Sequence, residues 1–193
     1  VSTAFSGPTG TIELGWNDYS GSLSPQNITG TWDGQAVSFL AYCLELTQYS
    51  GTGTFNVVSL TDYLGVSRGN QAAALVSNYA GGDKTQSAAL QLALWEVTYE
   101  KSHNSLNVTT GHLELDTVSG VSKSTLTSTA NAYLSNMGSI DGDLEFWVAT
   151  NDKKQDLLFY TVKTPVPEPA TWAMMIIGFA TIGRAMRSRR TNT

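Results

Sequence analysis

The chain contains a single thiol, that of Cys43, which lies in an apolar run at residues 38–46 that is typical of a buried strand. A thiol acts as a nucleophile when a neighbouring base or cation lowers its pKa. The two histidines, His103 and His112, lie in a polar, irregular stretch, and the sequence places neither beside Cys43. A Cys–His hydrolase is therefore not indicated, and a buried structural cysteine is the simplest alternative.

A second unusual residue is Gln91, which interrupts the apolar side of a helix predicted over residues 83–101. A Gly-Gly pair precedes this helix, and Asp83 with Gln86 forms a capping-box pattern at its start. Apolar residues recur on nearly every side, which predicts a helix buried in the domain. Because a buried carboxamide without a partner costs roughly 1–3 kcal/mol, Gln91 needs one. A hydrogen bond to neighbouring backbone is one possibility, and a chemical partner is the other.

The strand contains Tyr42-Cys43, and the helix contains Leu90-Gln91-x-x-Leu94-Trp95. These two short motifs resemble those of bacterial thioester domains, which are surface adhesin modules. In these modules a cysteine thiol and a glutamine side chain condense, with loss of ammonia, to an internal thioester. The resemblance spans roughly residues 1–164 and implies a Cys43–Gln91 crosslink. The matching residues are Tyr42-Cys43 in the strand and Leu90-Gln91-x-x-Leu94-Trp95 in the helix, so the residues expected to support the bond are Tyr42, Leu90, Leu94 and Trp95.

The resemblance implies a reactive binding protein and not an enzyme, because each thioester is consumed once. An amine or hydroxyl of a target would attack the Gln91 carbonyl, free the Cys43 thiol and leave the target attached by an amide or ester. Burial against Tyr42 and Trp95 would slow hydrolysis by excluding water. The alternative is a non-covalent exopolysaccharide or biofilm-matrix protein with the same fold and no thioester. In that protein the side chains of three early aromatic residues would stack on sugars or lie in the core: Trp16, Tyr19 and Trp32.

The C-terminal segment, residues 165–193, differs from the rest of the chain in composition. A Pro-rich stretch at 165–169 stops any strand or helix, and an apolar run follows at 170–183. Fourteen helical residues span about 21 Å, short of the roughly 30 Å hydrocarbon core of a membrane. One interpretation is a short membrane anchor, with the arginines that follow it on the cytoplasmic side.

The order of features in this segment resembles the PEP-CTERM sorting signal of Gram-negative, biofilm-forming bacteria. That resemblance implies transient anchoring in the inner membrane, recognition and cleavage by an exosortase, and release to the cell surface or extracellular matrix. The residues that carry it are Val166-Pro167-Glu168-Pro169 and the arginines Arg184, Arg187, Arg189 and Arg190.

Composition and charge exclude several other classes of protein function. Only 14% of the 193 residues are charged, as in secreted β-rich proteins, and residues 1–164 carry seven cationic against fifteen acidic side chains, a net charge of −8. Such an acidic body argues against nucleic-acid binding. No cofactor motif is visible, and neither the histidines nor Asp141-x-Asp143-x-Glu145 has the spacing of a metal site. The chain begins at Val1 rather than Met, so we expect a secretory signal to have been left out.

The order of the predicted strands and helices indicates an α+β domain over residues 1–164, with a β-sandwich or barrel framework and an inserted helical block. The sorting segment, with one short transmembrane helix, forms the second unit at 165–193. Residues 17–34 are expected to form a connection, and alternation in the strand at 35–49 places Cys43 on the side of Val37, Phe39 and Ala41. That strand and the next are expected to form a hairpin. Strands are predicted at 11–16, 35–49, 54–60, 112–116, 144–150 and 156–163, and helices at 71–79, 83–101 and 122–137.

Overall fold

The computed structural model describes residues 3–4, 8–102 and 105–163. By its internal contacts the chain divides into Val1–Val162 and Lys163–Thr193, and the fold below is that of the first unit. The predicted transmembrane helix and sorting signal lie outside the described residues, as does His103. Within those described ranges, no helix combines the length and hydropathy that crossing a membrane would require.

The strands of the described ranges form two antiparallel sheets. The larger sheet has six strands and the smaller has three, and neither sheet closes on itself within these ranges. In chain order the strands are β1 (Thr3–Ala4), β2 (Thr9–Leu14), β3 (Asn17–Ser22), β4 (Gln26–Trp32), β5 (Gln35–Cys43), β6 (Asn56–Ser59), β7 (Leu113–Ser119), β8 (Leu144–Asn151) and β9 (Lys154–Val162). The order in the larger sheet is β1-β4-β5-β9-β8-β6, and in the smaller sheet it is β3-β2-β7.

Helices occupy the middle of the chain, as the sequence predicts. They are α1 (Leu60–Leu64), α2 (Val66–Tyr79), α3 (Lys84–Tyr99) and α4 (Lys123–Ser135). The capping box of α3 is confirmed: the Gln86 N–H donates to the Asp83 carboxylate, and the Asp83 N–H donates to the side-chain Oε1 of Gln86, both at 2.9 Å. The mixed fold with antiparallel sheets and helices is therefore as predicted, although β7 separates α4 from the other three helices.

Helix α3 is the centre of the core. Every residue from Ala88 to Val97 is buried, and the helix packs against α2, α4, β5 and β7. This confirms the prediction of a helix that is apolar on nearly all sides. A helix surrounded in this way brings the carboxamide of Gln91 into the interior, where the side chain is fully buried.

Two predicted features of the β framework are wrong. Residues 17–34 are not a connection, because they contain β3 and all of β4. The polar side chains of β3 remain exposed while its backbone pairs with β2. The hairpin between β5 and the strand after it does not form, because β6 pairs with β8 and β5 pairs with β9. Strand pairing satisfies backbone groups, so a polar sequence does not prevent it.

A buried carboxyl group on α3 carries a pH dependence. Glu96 is fully buried, and its Oε1 accepts from the Asn107 N–H at 2.7 Å. Among the described residues, its Oε2 has no hydrogen-bond partner. The pKa of Glu96 is raised to about 7, first by burial and then by the charges of Glu100 and Glu114, which together outweigh the lowering effect of the Asn107 hydrogen bond. Since the ordinary value is 4.5, the folded protein holds this proton at a pH at which the unfolded chain releases it.

We expect protonated Glu96 to make its full contribution to the free energy of unfolding below pH 4.5. That contribution should be lost as the pH rises through about 7. The loss should be on the order of 2–3 kcal/mol. Glu96→Gln keeps an oxygen for the Asn107 N–H and cannot ionise, so its free energy of unfolding should change less over this range. Urea denaturation at pH 4.5, 6 and 8 measures both proteins. Parallel pH profiles for the two would contradict the assignment.

Candidate functional site

Cys43 lies at the end of β5, in the interior of the larger sheet, with glutamines on both neighbouring strands. In the register of the sheet, Gln26 of β4 is opposite Ala41, and Leu157 of β9 is opposite Cys43 itself. Side chains two residues apart on a strand point to the same face, and diagonal cross-strand neighbours are within reach of long side chains. Gln26 and Gln155 therefore flank Cys43 diagonally on the same face of the sheet.

The polar atoms of these side chains converge on the sulfur. The Cys43 thiol donates to Gln155 Oε1 at 3.0 Å, and Gln26 Nε2 donates to Cys43 Sγ at 3.2 Å. Ser50 completes the group: its hydroxyl donates to Gln155 Oε1 at 2.9 Å and accepts from Gln26 Nε2 at 2.7 Å. The thiol residue is only 2% exposed, whereas Ser50 lies at the surface above it. The thiol of Cys43 and the carboxamide of Gln155 are thus in direct contact, with the Ser50 hydroxyl between them and the surface.

The segment after β5 fixes the orientation of Gln155. The Leu44 N–H donates to the Asp156 carbonyl at 2.9 Å, and the Gln155 N–H donates to the Tyr49 carbonyl at 3.2 Å. The side-chain nitrogen of Gln155 donates to the Glu45 carbonyl at 2.7 Å. Because that nitrogen is engaged on one side, the oxygen of the same carboxamide faces the thiol.

Gln91 reaches the same cysteine in a different way. Its Oε1 accepts from the Cys43 N–H at 3.0 Å, and its Nε2 donates to the Cys43 carbonyl at 2.7 Å. The Leu44 N–H points toward β9, and successive backbone groups of a strand point to opposite sides, so those of Cys43 point away from β9. The Gln91 carboxamide lies on the side of β5 that faces away from β9, just beyond the start of β4. It bonds both the N–H and the carbonyl of Cys43, as the backbone of a neighbouring strand would.

The structure therefore brings Cys43 and Gln91 together, but through the main chain of Cys43 and not through its thiol. Two other glutamines lie beside the sulfur: Gln26, in the predicted connection at 17–34, and Gln155, between the strands predicted at 144–150 and 156–163. Tyr42 is fully buried, yet alternation along β5 directs its side chain to the face opposite that of Cys43. The other predicted supporting residues lie in the core around α3: Leu90, Leu94 and Trp95.

The environment of Cys43 keeps its thiol neutral. Burial raises the pKa of the thiol to about 12, and the hydrogen bond from Gln26 lowers it only in part. At neutral pH the group is therefore a protonated thiol that points at a carbonyl oxygen. Within the described residues, no group of three or more His, Cys, Asp or Glu side chains is placed to hold a metal ion.

The aromatic residues considered for sugar stacking have different environments. Trp16 is 99% exposed, whereas Trp32 packs edge-on against Phe39, Trp147 and Phe159, with ring centroids 5.7–6.1 Å apart. Trp32 also borders a cleft of about 440 Å³. Tyr19 is half-buried. Of the three, only Trp16 therefore presents a fully accessible ring.

Comparison with known proteins gives two findings. Residues 165–190 match the PEP-CTERM protein-sorting motif, which confirms the prediction made from the C-terminal sequence. The fold is similar to the N-terminal thioester domain of a surface protein from Clostridium perfringens, with a TM-score of 0.50 and 14% sequence identity over 80% of this chain and 99% of that one.

Two further solved structures are similar. A cysteine-to-alanine mutant of the C. perfringens domain has a TM-score of 0.48 and 12% identity, over 81% of this chain and 99% of that one. The N-terminal domain of the Streptococcus pyogenes pilus tip adhesin Cpa has a TM-score of 0.46 and 13% identity, over 85% of this chain and 99% of that one. A search of curated proteins finds no significant match.

Proposed function

We propose, from the premise that this chain joins a thioester-domain fold to a PEP-CTERM sorting motif, that it is an exported surface protein which binds its target covalently. The reactive group is an internal thioester between Cys43 and a glutamine. The observation that carries this proposal is the 3.0 Å contact between Gln155 Oε1 and Cys43 Sγ, whose residue is only 2% exposed.

Of the three glutamines around Cys43, Gln155 is the best acyl donor. Gln91 has both polar atoms engaged by the Cys43 main chain. Gln26 presents its nitrogen to the sulfur, as a hydrogen-bond donor. Gln155 presents its carbonyl oxygen, and its nitrogen is held by the Glu45 carbonyl. We therefore assign the crosslink to Cys43 and Gln155, and we assign to Gln91 the role of holding the cysteine backbone in place.

The condensation balances without an oxidant or a cofactor. The Cys43 sulfur attacks Cδ of Gln155, a sulfur–carbon bond forms, the carbon–nitrogen bond breaks, and ammonia leaves with the thiol proton. A target amine or hydroxyl then attacks the same carbon, the sulfur–carbon bond breaks, and the thiol recovers a proton. The target remains attached to residue 155 through an amide or ester bond, and no second turnover follows. The protein is a reactive binder and not an enzyme.

The destination follows from the sorting motif. An exosortase at the inner membrane would recognise residues 165–190 and release the protein to the cell surface or to a biofilm matrix. The net charge of −8 on residues 1–164 favours a basic or amine-bearing target over an acidic one.

The intact mass of the purified protein tests the proposal. The wild-type mass should fall below that of its sequence by one ammonia, and exposure to methylamine should add one methylamine to the protein. Cys43→Ala and Gln155→Ala should each have the mass of their sequence and take up no methylamine. Peptide mapping of the treated wild type should place the methylamide on residue 155.

Two further variants separate the three glutamines. Gln26→Ala and Gln91→Ala should retain some thioester if each has only a supporting role, whereas a methylamide on residue 26 or 91 would move the acyl donor there. A wild-type mass equal to that of the sequence, with Cys43 alkylated only after unfolding, would exclude the thioester. The chain would then be a non-covalent surface or matrix protein.

A further inference from the structure

Several hydrogen-bond donors surround the side-chain oxygen of Gln155, although the bond from its nitrogen to the Glu45 carbonyl already fixes this side chain. Two groups donate to it at short range, the Cys43 thiol at 3.0 Å and the Ser50 hydroxyl at 2.9 Å. Gln26 Nε2, which also donates to the Ser50 hydroxyl and the Cys43 sulfur, lies 3.5 Å from it. Acyl transfer at Gln155 passes through a tetrahedral carbon whose former carbonyl oxygen carries a negative charge. Donors already aimed at that oxygen stabilise this charge without reorganisation.

We propose that Ser50 and Gln26 form an oxyanion hole for Gln155, and that they set the rate at which the thioester forms and opens. This inference rests on the proposed Cys43–Gln155 thioester. When the sulfur attacks Cδ, the carbonyl electrons move onto Oε1, where the Ser50 O–H and the Gln26 N–H donate. When an incoming amine attacks the thioester, the same charge develops on the same oxygen, next to the same two donors.

Gln26 has a second role in opening. Its Nε2 lies 3.2 Å from Cys43 Sγ, so an N–H group faces the sulfur that leaves as the sulfur–carbon bond breaks. Within the part of the chain that the structure describes, the sulfur has hydrogen bonds to Gln26 and Gln155 and none to a cationic side chain, so the leaving group is a buried thiolate without a cation beside it. A donor from Gln26 partly offsets the loss of water around that thiolate. Gln26 thus acts on both atoms that gain negative charge.

The position of Ser50 connects this chemistry to the surface. Ser50 is exposed, and it follows the pair Glu45 and Tyr49, whose carbonyls hold the side chain and backbone of Gln155. The oxyanion hole is therefore built by one short segment, residues 44–50, together with the start of β4. A target that reaches the thioester meets this segment first.

The test uses the rate at which methylamine opens the preformed thioester in the full chain, followed by intact mass. Ser50→Ala and Gln26→Leu should each slow opening roughly 10–100-fold. Ser50→Thr, which keeps the hydroxyl, should react at nearly the wild-type rate. Thr52→Ala is the matched control, because it removes an exposed hydroxyl from the same loop without touching the site. Circular dichroism and the thermal midpoint check that each variant is folded.

The outcomes separate this inference from the function on which it rests. Folded Ser50→Ala protein that never forms the thioester supports the oxyanion hole, provided that wild type and Thr52→Ala form it. Opening rates within twofold of wild type in both variants would overturn the oxyanion hole and leave the thioester intact. A wild type that lacks the thioester would overturn both.

Discussion

Replacing Gln91 by leucine is expected to lower the free energy of unfolding by about 2–5 kcal/mol. The leucine cannot pair with the N–H and carbonyl of Cys43, which Gln91 engages at 3.0 and 2.7 Å in the core. A buried polar group left without a partner costs about 1–3 kcal/mol, and here there are two. The volume of the side chain is nearly kept, so the loss reports on hydrogen bonds and not on a cavity.

This measurement is best made in a Cys43→Ala background, where no thioester contributes to stability and the backbone at position 43 is retained. Urea denaturation then compares Cys43→Ala with Cys43→Ala/Gln91→Leu. Lys84→Ala in the same background is the control, since Lys84 lies exposed in the first turn of the same helix. A loss below about 1 kcal/mol for Gln91→Leu would show that other groups or water satisfy the Cys43 backbone.

The second large effect concerns the thioester as a crosslink. The proposed bond joins residues 112 positions apart, on adjacent strands. Closing a loop of about 100 residues is worth up to about 4.7 kcal/mol in the chain-entropy view, so we expect the bond to add about 3–5 kcal/mol. For a domain of this size, that corresponds to a thermal midpoint higher by roughly 6–20 °C.

One preparation of the wild-type protein gives both the closed and the opened thioester. Methylamine opens the thioester and leaves an amide at residue 155 that carries one additional methyl group, so the two proteins differ in little besides the crosslink. The thermal midpoint should fall after treatment of the wild type and stay unchanged after treatment of Cys43→Ala. Opening confirmed by mass, with a midpoint shift of less than about 3 °C, would contradict the stabilising role.

Local signals in the sequence predicted the helices more reliably than the sheets. Asp83 and Gln86 mark the start of α3, and the apolar residues of that helix show that it is buried. Strand partners depend on contacts far apart in the chain. The apolar run at β5 shows that it is a strand, but nothing in it selects β9 over β6, and that choice decides which residues meet Cys43.

At the candidate site, local sequence signals likewise do not determine which atoms meet. Helical periodicity places Gln91 in the core and gives the correct reason to expect a partner, which is the cost of burying a carboxamide. It does not distinguish the thiol of Cys43 from the main chain of Cys43. Gln155 follows a polar turn and shows no local sign of burial; only the register, with Leu157 opposite Cys43, brings it to the sulfur.

The place of Gln155 at the start of the last strand has a mechanical consequence. In the proposed reaction, a target attached at residue 155 is separated from the sorting motif at 165–190 by nine residues, 156–164. Most of these belong to β9, which is already extended at about 3.3 Å per residue and has little slack. Tension between the target and the C-terminal end would pass along this single strand and bypass the rest of the domain. The covalent link would hold even if the other strands and helices were pulled apart.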